Sequence, residues 1–281
     1  MEVTVAKTAG FCFGVERAIE MAETQAKTYD GPVYTLGPLV HNEAVIRDLE
    51  AQGVYALSEE ELLKKDSGKA IIRAHGTTEG CEERLKKAGF ELYDATCPFV
   101  QKIHRIVREH SLLGETILIA GDPAHPEVKG IIGWCKGPAF VVENAEDLVT
   151  LPLEKNSKVC LVAQTTFNYG KFKIIVEKIK SLVYNATIAD TICNATRERQ
   201  EEAGELASVS DVMLVIGSPS SSNSRKLYDI CKQYCSHTFF IQSMADLNKE
   251  WFHGVKSVGI TAGASTPSKI ILEVQTNVRK F

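Results

Sequence analysis

The chain repeats one plan three times, and that repetition limits its fold more than any single motif does. Each copy opens with a β-prone run, a cysteine and a helical pattern: "VTVAKTAGFCFGVERAIEMAE" with Cys12, "FELYDATCPFVQKIHRIVREH" with Cys97, and "ATIADTICNATRERQEEAGEL" with Cys193. The cysteines are 85 and 96 residues apart. A polar loop before a second helical pattern follows each one, centred on His41, His125 and Ser222, at offsets of 29, 28 and 29 residues. Next comes a short strand and a capping-box start, with Ser or Asn, two residues, an acid and Leu: Ser58 to Leu62, Asn144 to Leu148, Ser243 to Leu247. In such a start the cap oxygen and the acid satisfy orphan backbone N–H groups. A strand, a small-polar loop and a helix close each copy, at His75, Thr165 and Ser265.

Strands alternating with helices imply parallel sheets with right-handed crossovers. The expected fold is therefore α/β. Three pseudo-threefold-related repeats, a trefoil of mainly parallel sheets, surround a central cavity. The expected repeats are 13–96, 97–192 and 193–281, with 1–12 a leading strand packed on the third. A chain of 281 residues can bury such cores. A net charge of −4 and a pI of about 6.0 argue against a nucleic-acid binder. No apolar run reaches membrane-span length, and "MEVTVAKTAG" lacks a signal peptide's basic head and apolar stretch. The expected location is cytoplasmic, where eight cysteines read as packing, metal ligands or nucleophiles rather than a disulfide framework.

Ligands of open parallel sheets bind outside the strands' carboxyl ends, which is where all these loops fall. Cys12, Cys97 and Cys193 stand at helix mouths, and a helix N-terminus favours negative charge and hence a thiolate. Pro98 suits a first helical position. Three thiolates on one axis suggest a soft metal centre. An iron–sulfur cluster normally takes four cysteines, so three would leave one iron open for substrate. No CxxC or CxxxCxxC run is present, which disfavours a radical-SAM or ferredoxin reading. The other loops carry neutral hydrogen-bonders suited to a phosphate or diphosphate, and no Walker A sequence is present. Glu127, two residues after His125, can relay protons.

The loops "GFCFGVERA", "GPLVHN", "AHGT", "DATCP", "HPEV", "QTT", "C-x-AT-x-x-RQ", "SSNS" and "TAGASTP" resemble, in order and over nearly the whole chain, those of the LytB-type 4-hydroxy-3-methylbut-2-enyl diphosphate reductases. The resemblance implies a [4Fe–4S] cluster on Cys12, Cys97 and Cys193 with one open iron site. It implies a diphosphate held by His41, His75, His125, Ser221, Ser222, Asn223 and Ser265. Thr165 and His125 would serve the hydroxymethyl end, and Glu127 would donate the proton. The reaction implied is reductive dehydroxylation to isopentenyl and dimethylallyl diphosphates, the last step of the non-mevalonate pathway. Ferredoxin or flavodoxin would be the electron donor, and neither nucleic acid nor membrane is a partner. Pro219-Ser220 departs from the family's Lys-Asn, which puts that loop's backbone path and any cationic help in question.

Blander readings cover the rest. Cys81, Cys135, Cys160, Cys231 and Cys235 are expected to pack as small hydrophobes. The "RERQEE" run at 197–202 reads as a solvated helix face. Cys193 and Arg199 also satisfy C-x5-R, the pattern of cysteine phosphatases, but the loop has no glycine and carries Glu198. A non-catalytic small-anion binder is a further alternative.

Overall fold

The structure is a computed structural model describing residues 1–182 and 184–281. The chain runs β1 (Glu2–Val5), α1 (Phe13–Thr28), β2 (Val33–Leu36), α2 (Glu43–Glu50), β3 (Val54–Leu57), α3 (Glu59–Leu62), β4 (Gly68–Ile72) and α4 (Glu79–Lys87). It continues through β5 (Phe90–Asp94), α5 (Pro98–Leu112), β6 (Thr116–Ala120), α6 (Pro126–Ile132), β7 (Ala139–Val142), β8 (Lys158–Ala163), α7 (Tyr169–Ser181) and β9 (Asn185–Ile188). It ends with α8 (Asn194–Ser208), β10 (Val212–Ile216), α9 (Ser222–Tyr234), β11 (Thr238–Ile241), β12 (Ser257–Ala262) and α10 (Ser268–Val278).

The strands form three four-stranded sheets, ordered β3-β2-β4-β5, β7-β6-β8-β9 and β11-β10-β12-β1, and every pairing is parallel. This is an α/β fold of three similar repeats, as the sequence pattern implies. The third sheet takes its fourth strand from the N-terminus, with Glu2 to Val5 in register with Ser257 to Ile260.

By compactness the chain divides into two units. The first holds residues 1–16, 40–48 and 194–281, and the second holds 17–39 and 49–193. The first contains one sheet. Its core places Val212, Leu214, Ile216, Val258 and Ile260 against Ile271, Val274 and Val278 of α10. On the other face, Met213 and Val215 meet Ala203 and Ala207 of α8 and Leu227 and Cys231 of α9. Strands buried on both faces read as apolar runs such as "VMLVI", as expected for a helix-covered parallel sheet.

The second unit contains two sheets. Leu118, Ala120, Leu161 and Ala163 face Phe172, Ile175 and Ile179 of α7, and Ile117, Ile119, Cys160 and Val162 face α5 and α6. Its first repeat is tied to its second by the Trp134 indole N–H, which donates to the Thr77 carbonyl at 2.9 Å, and by ion pairs from Arg108 and Lys136 to Glu79.

Two local devices recur. The expected capping starts are present as single turns, in which the acid returns to the cap N–H: Glu61 to Ser58 at 2.8 Å, Asp147 to Asn144 at 2.9 Å, Asp246 to Ser243 at 3.0 Å. The residue after the first strand of each repeat is a glycine whose N–H is bonded to the neighbouring strand's end: Gly37 to Leu57 O at 2.7 Å, Gly121 to Val142 O at 3.1 Å, Gly217 to Ile241 O at 2.8 Å. A Cβ on Gly217 would lie 2.6 Å from the Cβ of Ser224, so close approach of α9 demands glycine there.

One sequence expectation is corrected. The "RERQEE" run is only in part a solvated face: Glu198 and Glu201 are exposed, but the rest is not. Arg199 and Gln200 are buried, and Glu202 is half-buried. The reason is that α8 packs beside the loop leading to Cys12. The Arg199 guanidinium donates to Gly10 O at 2.8 Å and Ala262 O at 3.2 Å. Glu202 accepts from Lys7 N at 2.7 Å, Thr8 N at 2.9 Å and Thr8 Oγ1 at 2.6 Å.

Candidate functional site

Each of Cys12, Cys97 and Cys193 immediately precedes a helix, α1, α5 and α8 respectively. Each backbone N–H is bonded to the carbonyl two residues past the third strand of its sheet: Cys12 to Ala264 at 3.4 Å, Cys97 to Ala74 at 3.0 Å, Cys193 to Thr165 at 3.1 Å. One backbone bond therefore sets all three thiols at the carboxyl end of a parallel sheet, which is where such folds bind ligands. None is in a disulfide, and all three are partly exposed.

The remaining cysteines behave differently. Cys81, Cys160, Cys231 and Cys235 are buried, and Cys135 packs beside the α5–α6 core. Burial pushes the thiols of Cys81 and Cys135 up to about 11, and those of Cys160 and Cys231 up to about 12. A buried thiol stays neutral and packs as a small hydrophobe unless a bound cation displaces its proton. The chemistry and placement of Cys12, Cys97 and Cys193 fit a metal cluster at the sheets' carboxyl ends; none of the other five precedes a helix at such an end.

In the first unit, α9 starts with Ser221 as its cap, whose hydroxyl accepts from Ser224 N at 3.3 Å. The preceding Pro219-Ser220 forms a turn closed by Ser221 N to Ser218 O at 2.9 Å and by the paired hydroxyls of Ser218 and Ser220 at 2.7 Å. Proline pre-sets such a turn, so the loop path does not need the family's Lys-Asn. Ser221, Ser222 and Asn223 are all buried, and the Nδ2 of Asn223 is a buried donor with no partner among the described residues. A helix N-terminus with an unspent amide beside it is suited to an anion. Ser265, also buried, donates to the His41 carbonyl at 3.3 Å, and Asn42 caps α2 by accepting from Ala44 N at 3.1 Å and Val45 N at 3.3 Å.

The second unit holds a different arrangement. Glu127, in the first turn of α6, is only 1% exposed. Its carboxylate oxygens accept from Thr165 N at 2.6 Å and Thr165 Oγ1 at 2.7 Å. Burial raises its carboxyl to about 7, against the lowering effect of the two Thr165 bonds. His125 caps α6, its Nδ1 accepting from Glu127 N at 3.2 Å, and its ring meets that of His75 edge-on, with centroids 5.3 Å apart. The Thr165 carbonyl in turn accepts the Cys193 N–H, so Cys193, Thr165, Glu127 and His125 form one connected network.

Sequence reasoning missed three groups. The threefold glycines after the first strands, in "LGP", "AGDP" and "IGSP", were a readable signal. So was Arg199 within "C-x-AT-x-x-RQ", whose guanidinium holds the Cys12 loop instead of a phosphate cradle. Arg17, within "GFCFGVERA", holds the Cys97 loop by donating to Thr96 O and Asp94 O, both at 3.1 Å. The loop centred on Ser222 also aligns one residue earlier: His41, His125 and Ser221 each lie five residues past their first strand.

Together these features define a class: a three-repeat parallel α/β protein presenting cysteine thiols, a helix mouth suited to an anion and a buried, protonatable carboxyl at its strand ends. Residues 3–279 match the family model described as LytB protein, and the chain belongs to the LytB family. It is 44% identical over 283 residues to a 4-hydroxy-3-methylbut-2-enyl diphosphate reductase of Caldanaerobacter subterraneus subsp. tengcongensis, covering 100% of this chain and 98% of that protein. It is 42% identical over 284 residues to the Aquifex aeolicus protein of that name, covering 100% and 97%. A solved (E)-4-hydroxy-3-methyl-but-2-enyl diphosphate reductase, described as the terminal enzyme of the non-mevalonate pathway, superposes with a TM-score of 0.71 at 41% identity over 100% of both chains. The E-1-hydroxy-2-methyl-but-2-enyl-4-diphosphate reductase of Plasmodium falciparum superposes with a TM-score of 0.91 at 31% identity, covering 99% and 87%. The family is one of iron–sulfur enzymes. Among the described residues no helix is long and apolar enough to cross a membrane.

Proposed function

We propose that this chain reduces 4-hydroxy-3-methylbut-2-enyl diphosphate to isopentenyl and dimethylallyl diphosphates, the terminal step of the non-mevalonate isoprenoid pathway. Replacing the substrate's C–O bond by C–H takes up two electrons and two protons and releases water. The observation that carries the proposal is Glu127, a fully buried carboxyl raised to about 7 and held by two bonds from Thr165, on a backbone fixed by the His125 cap. An ordinary carboxylate would be ionised at neutral pH; one raised to about 7 keeps a substantial protonated fraction there and can deliver that proton to a departing hydroxyl.

Cys12, Cys97 and Cys193 would hold a [4Fe–4S] cluster with one iron lacking a protein ligand, which supplies single electrons and a Lewis acid toward the substrate hydroxyl. The residues of the chain do the rest. The Thr165 hydroxyl can donate to the ionised carboxyl or accept from the protonated one, so it orients Glu127 Oε2 through both states. With Nδ1 accepting from Glu127 N–H, His125 carries its proton on Nε2 when neutral and can donate it to substrate. His41, His75, His125, Ser221, Ser222, Asn223 and Ser265 bind the diphosphate, with the α9 N-terminus and the Asn223 amide supplying neutral donors. A ferredoxin or flavodoxin in the cytoplasm is the proposed electron source.

The test is an anaerobic iron and sulfide assay with Mössbauer spectra, with and without an allylic diphosphate. About four irons per chain, one of which changes spectrum on adding the diphosphate, is the expected result. An iron-free protein, or one whose irons ignore the diphosphate, rejects the assignment.

A further inference from the structure

At the opposite end of the second repeat's sheet, away from the cysteine and histidine loops, three metal-ligating side chains meet. His110 lies in the last turn of α5, Glu115 directly precedes β6, and Cys160 lies near the start of β8. The chain reverses between the first two through Gly114, which has a φ of +79°, and Glu115 N donates to His110 O at 3.1 Å. Cys160 is brought alongside by sheet register, opposite Ile117, two residues after Glu115. One ligand atom from each of the three residues lies within 4.8 Å of the other two.

We infer that His110, Glu115 and Cys160 form a second metal site, separate from the reductase centre, which takes a borderline-soft divalent cation such as Zn(II). The donor set of one imidazole, one carboxylate and one thiolate is that of zinc rather than of magnesium or calcium, which prefer oxygen alone. A hydrogen-bonded His–Glu couple, which the 2.8 Å contact between His110 Nδ1 and Glu115 also makes, has no need of a thiol beside it. The site has both a floor and an entrance. Cys160 is fully buried among Ile103, Val107 and Ile117, while the His110 and Glu115 side chains stay 25% and 17% exposed. An apolar shell with a wet rim excludes competing water yet admits a cation. A bound cation there would tie the end of α5 to β6 and β8.

Zinc is read independently of iron. Holoenzyme, its cluster intact, is equilibrated with Zn(II), desalted and examined at the zinc absorption edge, to which iron does not contribute. The expected result is roughly one zinc per chain with a single sulfur at about 2.3 Å and nitrogen or oxygen neighbours at about 2.0–2.2 Å. Cys160→Ser and His110→Ala should each weaken zinc binding roughly tenfold or more, leaving iron content and reductase turnover unchanged. Should Cys160→Ser fold poorly, His110→Ala and Glu115→Gln, at partly exposed positions, carry the test. Failure to retain zinc, a shell without sulfur, or wild-type affinity in the rim variants would overturn the site. None of these outcomes bears on the reductase assignment, which the iron and sulfide assay tests.

Discussion

Glu127 and Asn223 occupy the same place in two repeats, seven residues past the repeat's first strand and second in a helix capped by His125 or Ser221. Both are buried. In the second unit the slot faces Thr165, which satisfies the Glu127 carboxyl with two bonds. In the first unit the residue equivalent to Thr165, two past the third strand, is Ala264, which has no hydroxyl, and the Asn223 amide keeps a donor without a partner among the described residues. One backbone template thus yields a satisfied, raised carboxyl in one repeat and an unspent amide in another. The scaffold is set by bonds common to all repeats, namely the glycine after the first strand and the cysteine N–H on the third-strand loop. The chemistry is set by which side chain faces the slot.

The sharpest test of the shared scaffold is a pair of variants in different units. Cys12→Ser and Cys97→Ser should each lose the cluster iron and with it all turnover. Normal iron in either variant would show that the equivalent backbone positions do not supply equivalent ligands.

The divergence between the two slots is tested next. Glu127→Gln should keep the iron and bind substrate but lower kcat by a factor on the order of 10²–10⁴. A variant turning over at the wild-type rate would remove the acid role. The pH profile carries the same information. Burial raises the Glu127 carboxyl to about 7, and it acts as an acid only while protonated, so kcat/KM should fall as pH rises through about 7. The stability sign agrees. Between the unfolded carboxyl's value of roughly 4 and the native value near 7, the native state keeps a proton that the unfolded chain has lost. This group's contribution to stability therefore declines as pH rises across that window. Glu127→Gln should flatten both profiles.

Asn223→Ala should raise KM for the diphosphate about tenfold with kcat largely kept, the pattern of lost uniform binding. An unchanged KM would mean that the orphaned amide faces no ligand. The smallest expected effect belongs to Thr165→Val. Its hydroxyl stabilises the ionised carboxylate, so its removal should move the alkaline limb upward by roughly half a pH unit or more. A downward shift would reverse the role assigned to that bond.

The sequence by itself determined what short-range chemistry controls. The three capped turns are legible because cap and acid are three residues apart, and the cysteines are legible because a helix start is a local event. The threefold plan, and through it the parallel α/β fold, follows from these repeated local signals. Only the tertiary structure decided what depends on remote neighbours. It buried Arg199 and Gln200 and half-buried Glu202, whose charged pattern reads as solvated, because α8 packs against the Cys12 loop some 190 residues away in the chain. It aligned Ser221 rather than Ser222 with His125, because strand ends and not cysteine offsets set equivalence. It raised the Glu127 carboxyl, because desolvation is the sum of everything folded around a group, and no spacing of residues along the chain records that sum.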